Sequence, residues 1–499
     1  MPMERLFTAG SPSSIKDGVV IRLVEEDRPA LQTSLRRIEA LGVAGAVQSA
    51  ASGDFSATLK QTVTLYPKSK RGTTRVVLVG LGKRKELTTE RMRRACAQGA
   101  KRARGLKADA FTIILPRSIR TTEMIVAAFE GADLATYSYD AYKSKEKGQP
   151  EVRRISVFSE DTRLRKTGSR ARDIAECIIL GTRFARNLAN APGNVLYPET
   201  LADAAVAGGK ECGFAVTVLD EHEIEAAGMG GVVAVGRGSV RPPRFLILEH
   251  GPSDKQPVVL VGKGVTFDTG GISIKPSAGM GEMKMDMAGA AAVLGTFEAI
   301  ARLRLPIHVI GLVPAVENMP GGGAQRPGDI ITHLSGKTSE VDNTDAEGRL
   351  ILADALAYAS RYKPSAVIDL ATLTGAVVVA LGHVAAGMMG TDDDVMEELT
   401  RAGERTFERV WQLPLFEEYA RLIRSDVADV KNVGGRWAGP ITAAMFLKQH
   451  IGKYPWVHLD IAGTAMLEEV GDYTQRGGSG FGVRLLTEFL RRRASKRND

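Results

Sequence analysis

Between Val261 and Ala291 the chain reads VGKGVTFDTGGISIKPSAGMGEMKMDMAGAA, an apolar run that enters a glycine-rich loop carrying Lys263, Asp268, Lys275, Lys284 and Asp286 and then an alanine-rich segment. A second dense stretch, VDNTDAEGRLILADA at 341–355, sets Asp345, Glu347 and Arg349 at the expected first turn of a helix. Taken alone, a capping box is the simpler account of the Asp345–Glu347 pair. The company of Asp268 and Asp286 turns the argument toward chemistry. Four carboxylates without histidine partners suit hard or borderline divalent cations held through oxygen. None of the seven histidines belongs to an HExxH or another ligand-spaced pair. The chain also has no GxSxG elbow, no P-loop and no GxGxxG fingerprint, which argues against a serine-hydrolase nucleophile and against those nucleotide sites.

Loops leaving the carboxyl ends of strands in an open α/β sheet are where such sites are built, and the surrounding pattern supplies that sheet. Strands are expected at Val19–Val24, Thr62–Tyr66, Val76–Val79, Ala110–Leu115 and Ile155–Phe158, with helices near Thr88–Arg104 and Met124–Tyr137. A polar loop spans Tyr142–Arg154. An amphipathic linking helix follows from Arg165 and is ended by Asn190-Ala-Pro-Gly-Asn194. Beyond Pro192, strands at Phe245–Leu248, Val258–Val261, Ile307–Leu312, Ala366–Leu370 and Trp456–Asp460 alternate with helices at Ala288–Leu303 and Ala346–Arg361. The expected architecture is two α/β domains: a smaller N-terminal one with a mixed sheet (1–160), a linking helix (161–191), and a C-terminal catalytic one with a mixed central sheet flanked by helices (192–499). The closing RRRASKRND reads as a solvated charged tail.

A hydrophobic content of 44% with 25% charged residues describes a globular chain, and no apolar run reaches membrane-span length. No secretory signal is visible at the N-terminus, and three cysteines without a CxxC pair fit a reduced, cytoplasmic setting. Charge is unevenly spread: residues 1–179 hold 33 Lys+Arg against 20 Asp+Glu, the remainder 33 against 38. Such a basic N-terminal part leaves nucleic acid open as a partner. The basic residues include Arg36-Arg37, Lys68–Arg71 and Lys83–Lys85. Arg91, Arg94, Lys101 and Arg104 mark the candidate helix face, although a solvated amphipathic face is the plainer account.

At its two dense segments the sequence resembles the leucyl aminopeptidase family of dinuclear metallopeptidases. NTDAEGRL at 343–350 is that family's signature, unaltered. Further matches are Asn318-Met-Pro-Gly-Gly-Gly-Ala with Arg326-Pro-Gly-Asp-Ile330, Asp369-Leu-Ala-Thr-Leu-Thr-Gly375, Ala428-Asp-Val-Lys-Asn-Val-Gly-Gly435 and Leu459-Asp-Ile-Ala-Gly-Thr464, so about residues 185–485 are covered. The resemblance implies that Lys263, Asp268, Asp286 and Glu347 hold one divalent ion and Asp268, Asp345 and Glu347 a second, manganese or zinc. It implies Lys275 as the group polarising the scissile carbonyl and Arg349 as the holder of a bicarbonate base. A metal-bridging water would then attack. Met283, Asn343, Thr372, Gly375 and Met466 are expected to receive the substrate's N-terminal residue, leucine or another apolar one. For the methionines, ordinary core packing is the competing account. Peptides are the expected substrates and a homohexamer the expected assembly, without a membrane partner. Two alternatives stand beside this: a cysteinyl-glycine dipeptidase, and a DNA-binding architectural protein that retains peptidase activity.

Overall fold

The computed structural model describes residues 3–27, 31–33, 35–36, 53–66, 75–144 and 151–496. The basic run Lys68–Arg71, Arg37 and residues 145–150 of the expected polar loop lie outside them. The chain divides into two compact units, one of Met1–Ile179 with Glu469–Gln475, the other of Leu180–Glu468 with Arg476–Asp499.

The first unit is a six-stranded mixed sheet in the order β1-β6-β5-β2-β4-β3, where β1 is Glu4–Ala9, β2 Val19–Val24, β3 Thr62–Leu65, β4 Arg75–Gly80, β5 Ala110–Ile114 and β6 Arg154–Ser159. Only β3 runs antiparallel to its neighbour. The apolar runs of β2, β4, β5 and β6 are buried almost throughout, as parallel strands covered on both faces should be. Edge strand β1 went unforeseen because ERLFTA alternates weakly and is only partly buried. Helix α1 (Thr89–Gly105) starts where the Thr88 side chain accepts from the Arg91 N–H, and α2 is Thr122–Leu134.

The second unit is built on a nine-stranded mixed sheet. Its strands are β7 (Ala215–Leu219), β8 (Arg244–His250), β9 (Val258–Gly262), β10 (Gly264–Asp268), β11 (Val309–Asn318), β14 (Ala366–Ala371), β15 (Ala386–Gly390), β16 (Val410–Gln412) and β18 (Trp456–Asp460). The order is β16-β15-β18-β14-β9-β11-β8-β7, with β10 pairing the far end of β11. The four central strands β18, β14, β9 and β11 are parallel, so their carboxyl ends share one edge. A separate three-stranded sheet joins β12 (Ile330–Thr332), β13 (Thr338–Glu340) and β17 (Val430–Lys431). Helix α3 (Arg165–Asn190) leads into this unit, and α4 (Ala288–Arg302) and α5 (Glu347–Ala359) pack on opposite sides of β9 through small and apolar residues. Gly289 permits the close approach of α4, since a Cβ there would lie 2.1 Å from the Leu370 carbonyl oxygen. Residues 491–496 of the expected charged tail form the end of a helix, Val483–Lys496, in which Arg491 and Arg492 pair with Glu488, and Arg493 with Glu398, while 497–499 lie outside the described residues. Among the described residues no helix is long and apolar enough to cross a membrane.

Candidate metal centre

The site lies at the carboxyl ends of the central strands. Asp268 ends β10, Asn318 ends β11, Thr372 follows β14, and Asp286 sits two residues before α4. Lys263 occupies the single-residue break between β9 and β10. Its N–H donates to Leu370 O (3.0 Å) and its carbonyl accepts from Ala290 N (2.9 Å), so both backbone groups are held. The side chain is thereby aimed across the sheet end. Its Nζ lies 2.7 Å from Asp286 Oδ2 and 2.8 Å from Glu347 Oε1, and donates to Thr372 O at 3.0 Å.

A second ammonium completes the cluster. Lys275 Nζ is 2.8 Å from Asp268 Oδ2 and also pairs with Asp345 Oδ1. Asp268 Oδ1 accepts from Asn318 Nδ2 (2.8 Å) and Gly270 N (2.9 Å), which fixes the carboxylate plane. The loop is tied to the signature segment by Thr344, whose hydroxyl donates to Gly270 O (2.6 Å) and accepts from Ser273 N (2.8 Å). Gly270 and Gly271 both hold positive φ (86° and 66°), a backbone shape that glycine adopts without penalty.

The capping-box account of Asp345 and Glu347 fails on geometry. Helix α5 begins at Glu347 with no side-chain cap, while Asp345 turns to Lys275 and Glu347 to Lys263. Four carboxylates around two ammoniums leave a net charge of −2, and burial sharpens the imbalance. Asp268, Asp286 and Glu347 are each at most 5% exposed and offer ligand atoms within 4.8 Å of one another. Burial, helped by Glu347 and Asp268, pushes the Asp286 carboxyl well above its ordinary range; burial and Asp268 also raise the Glu347 carboxyl. For Lys263, burial pulls downward, but Asp286, Glu347 and Asp268 outweigh it and hold the ammonium above its usual range. Glu347 Oε2 is buried with no hydrogen-bond partner among the described residues. An excess of buried negative charge with an orphaned carboxylate oxygen is what a divalent cation would satisfy, and all the donors are of the oxygen type, plus one amine.

Arg349 is buried on α5. Nη1 donates to Asn432 O at 2.6 Å, Nε has no partner among the described residues, and burial pushes its pKa down to about 10. Thr372 donates its hydroxyl to Asp286 Oδ1 at 2.7 Å, so it belongs to the support of the cluster. Asn343 is exposed, with Oδ1 accepting from Asp345 N and its carbonyl accepting from Asn432 Nδ2. Met283 lies in the 3-10 turn Met280–Met285, Gly375 opens the helix Gly375–Leu381, and Met466 pairs across a short ladder with Gly478. Met283 adjoins the cluster through its backbone carbonyl, which accepts from Asp286 N–H at 3.3 Å. The expected site did not include Asn318, Thr344 or Asn432, although each lies within a quoted motif. Their signal is faint because each acts by holding another residue.

In the first unit the candidate basic face is largely engaged. Arg91 pairs with Glu86, Arg94 with Glu90 and Asp472, and Lys101 donates to Gly471 O.

Carboxylates and lysines converging at the carboxyl ends of parallel strands fit a metal-binding site of an α/β protein. The chain belongs to the cytosol aminopeptidase family: the family's catalytic domain matches residues 183–487 and its N-terminal domain residues 23–146. A probable cytosol aminopeptidase of Geobacter sulfurreducens is 47% identical over 473 residues, covering 93% of this chain and 95% of that protein. One from Azotobacter vinelandii is 43% identical over 506 residues, covering 98% and 99%. Among solved structures, the bottromycin maturation enzyme BotP in complex with Mn superposes with a TM-score of 0.85 at 36% identity, covering 96% of this chain and all of that one. Family membership supports a metal-dependent aminopeptidase.

Proposed function

We propose that this chain removes single residues, leucine and other apolar ones among them, from peptide N-termini using two divalent ions. Lys263, Asp268, Asp286 and Glu347 would hold one ion, and Asp268, Asp345 and Glu347 the other. The observation that carries this is the buried convergence of Asp268, Asp286 and Glu347 beside an unpartnered Glu347 oxygen. The solved relative in complex with Mn makes manganese the first ion to try, with zinc the alternative. Bound there, the ions would supply Lewis acidity to a water and to the scissile carbonyl.

The protein's own groups do the rest. Lys275 is the more accessible of the two ammoniums, 21% exposed against 4% for Lys263, and is placed to stabilise negative charge developing on the carbonyl oxygen. Lys263 is an ammonium in its present ion pairs, so ligation through Nζ requires loss of that proton. Arg349, with Nε unpartnered and buried, is suited to hold a bicarbonate anion as general base. Met283, Asn343, Thr372, Gly375 and Met466 would receive the substrate's first side chain. Hydrolysis of leucine amide or leucine anilide, measured before and after chelation with Mn²⁺ or Zn²⁺ added back, tests the reading. Activity unaffected by exhaustive chelation would sink it.

A further inference from the structure

One short piece of chain grips Lys263 at its backbone and at its side-chain tip. The backbone N–H donates to Leu370 O and Nζ to Thr372 O, each at 3.0 Å. The Thr372 hydroxyl donates to Asp286 Oδ1 at 2.7 Å, so the same piece also holds the carboxylate paired with that lysine. Residues 372–374 lie between the end of β14 and the helix Gly375–Leu381, in neither strand nor helix. No strand ladder places them, and the position of Thr372 O depends on what else holds the segment.

Asp460 closes β18, opposite Ala371 of β14, and is fully buried. It is neither a proposed ligand nor a proposed substrate residue. Oδ1 accepts from Leu373 N (3.1 Å), Thr374 N (3.4 Å) and Ala462 N (3.2 Å), and Oδ2 from the Thr374 hydroxyl (2.7 Å). The Thr374 oxygen accepts in turn from Val377 N at 3.1 Å, which ties the segment to the start of the next helix. Burying a carboxylate is unfavourable unless hydrogen bonds satisfy it, and three of these four come from Leu373 and Thr374.

We propose that Asp460 is a positioning residue for the metal centre: by holding Leu373 and Thr374 it sets Thr372 O, which orients the Lys263 amine toward the ion that lysine would ligate. The inference rests on the two-ion reading above. Lys263 Nζ has three acceptors, Asp286, Glu347 and Thr372 O. A ligating amine keeps two N–H groups and one lone pair, and the two carboxylates are themselves proposed ligands of the ion. Thr372 O is the acceptor that is not a ligand, so it fixes the direction of the lone pair. Groups that hold a ligand in this way change metal affinity by about 10- to 100-fold when removed. Among the described residues, no hydrogen bond links Thr372 to Asp268, Asp345 or Glu347, the set proposed for the second ion. Loss of Asp460 should therefore weaken one ion and spare the other.

Stripped enzyme is titrated with Mn²⁺ while the free ion is followed by electron paramagnetic resonance, a readout independent of turnover. The parent should bind two ions per chain. Asp460→Ala should hold one ion as the parent does and the other about 10- to 100-fold more weakly. Asp460→Asn keeps Oδ1, and its Nδ2 can donate to the Thr374 hydroxyl, so it should restore that ion. A merely structural role would weaken both ions alike. Should Asp460→Ala not fold, Thr374→Val and Thr374→Ser make the same comparison, with loss in the first and recovery in the second. Three results overturn the inference and leave the two-ion reading standing: both ions bound as tightly as by the parent, both weakened alike, or no recovery in the conservative variant. A parent that binds fewer than two ions overturns both.

Discussion

Gly348, the second residue of α5, should tolerate no side chain, because Lys263 crosses directly over it. A Cβ at 348 would meet Lys263 Cε at 2.6 Å, Nζ at 2.7 Å and Cδ at 2.8 Å. Ordinary carbon contacts begin near 3.5 Å, so Gly348→Ala must displace the lysine by about 1 Å. A surface lysine would swing aside without consequence. This one is 3% exposed and held by Asp286, Glu347 and Thr372 O, so it cannot move without breaking that set. The fold should survive, since alanine in a helix is favoured over glycine by about 1 kcal/mol, which offsets part of the crowding. Misplacement of a reacting group by 1 Å costs on the order of 100-fold in rate. Gly348→Ala should therefore lower kcat on leucine anilide about 100-fold and reduce metal content measured by plasma mass spectrometry. The melting temperature should shift by only a few degrees. A variant that keeps full metal content and turnover within threefold of the parent would refute the geometry.

Asp268→Ala and Glu347→Ala should each abolish turnover, since each is proposed to touch both ions; retained activity in either would remove that residue from the bridging role. Lys275→Ala should leave metal content near normal while lowering kcat about 100-fold, the range seen when one oxyanion donor is removed, whereas loss of metal would place Lys275 among the ligands. Glu298, nearly buried on α4, has its carboxyl pushed up to about 7 by burial, against partial help from Arg302. A raised carboxyl binds its proton more tightly when folded, so this group's contribution to stability falls as pH rises from about 4.5 to about 7, by up to about 3 kcal/mol. Glu298→Gln should accordingly raise stability at pH 8 relative to pH 5 in urea melts; an unchanged pH slope would contradict it.

The sheet cores were legible because β9, β11 and β14 are nearly unbroken apolar runs, the pattern of strands buried on both faces. The convergence of the carboxylates was legible too, because buried charge is dear and four carboxylates in two short segments had to be used somewhere. What the sequence hid depends on distance in space. Asn318 is 50 residues from the carboxylate it fixes, and Asn432 is 89 from the Asn343 carbonyl it binds. Neither relation leaves a periodicity. Sequence also could not tell a helix cap from a metal ligand at Asp345 and Glu347, because both uses favour an acidic residue in a first turn. The ion pairs to Lys263 and Lys275, with no side-chain cap on α5, argue against the cap. Likewise, the sequence does not show that Arg91 pairs with Glu86, or Arg94 with Glu90 and Asp472.

The central claim, that these carboxylates and Lys263 hold two ions at which an N-terminal residue is released, meets its most direct test in a stoichiometric titration. Enzyme stripped by chelation is titrated with Mn²⁺ while bound metal and hydrolysis of a leucyl peptide are followed together, with the N-acetylated peptide as control. The account predicts no activity in the stripped enzyme, a rise that is complete at two ions per chain, and no cleavage of the acetylated peptide. Full activity without metal, a plateau at one ion, or equal cleavage of the blocked peptide would contradict it.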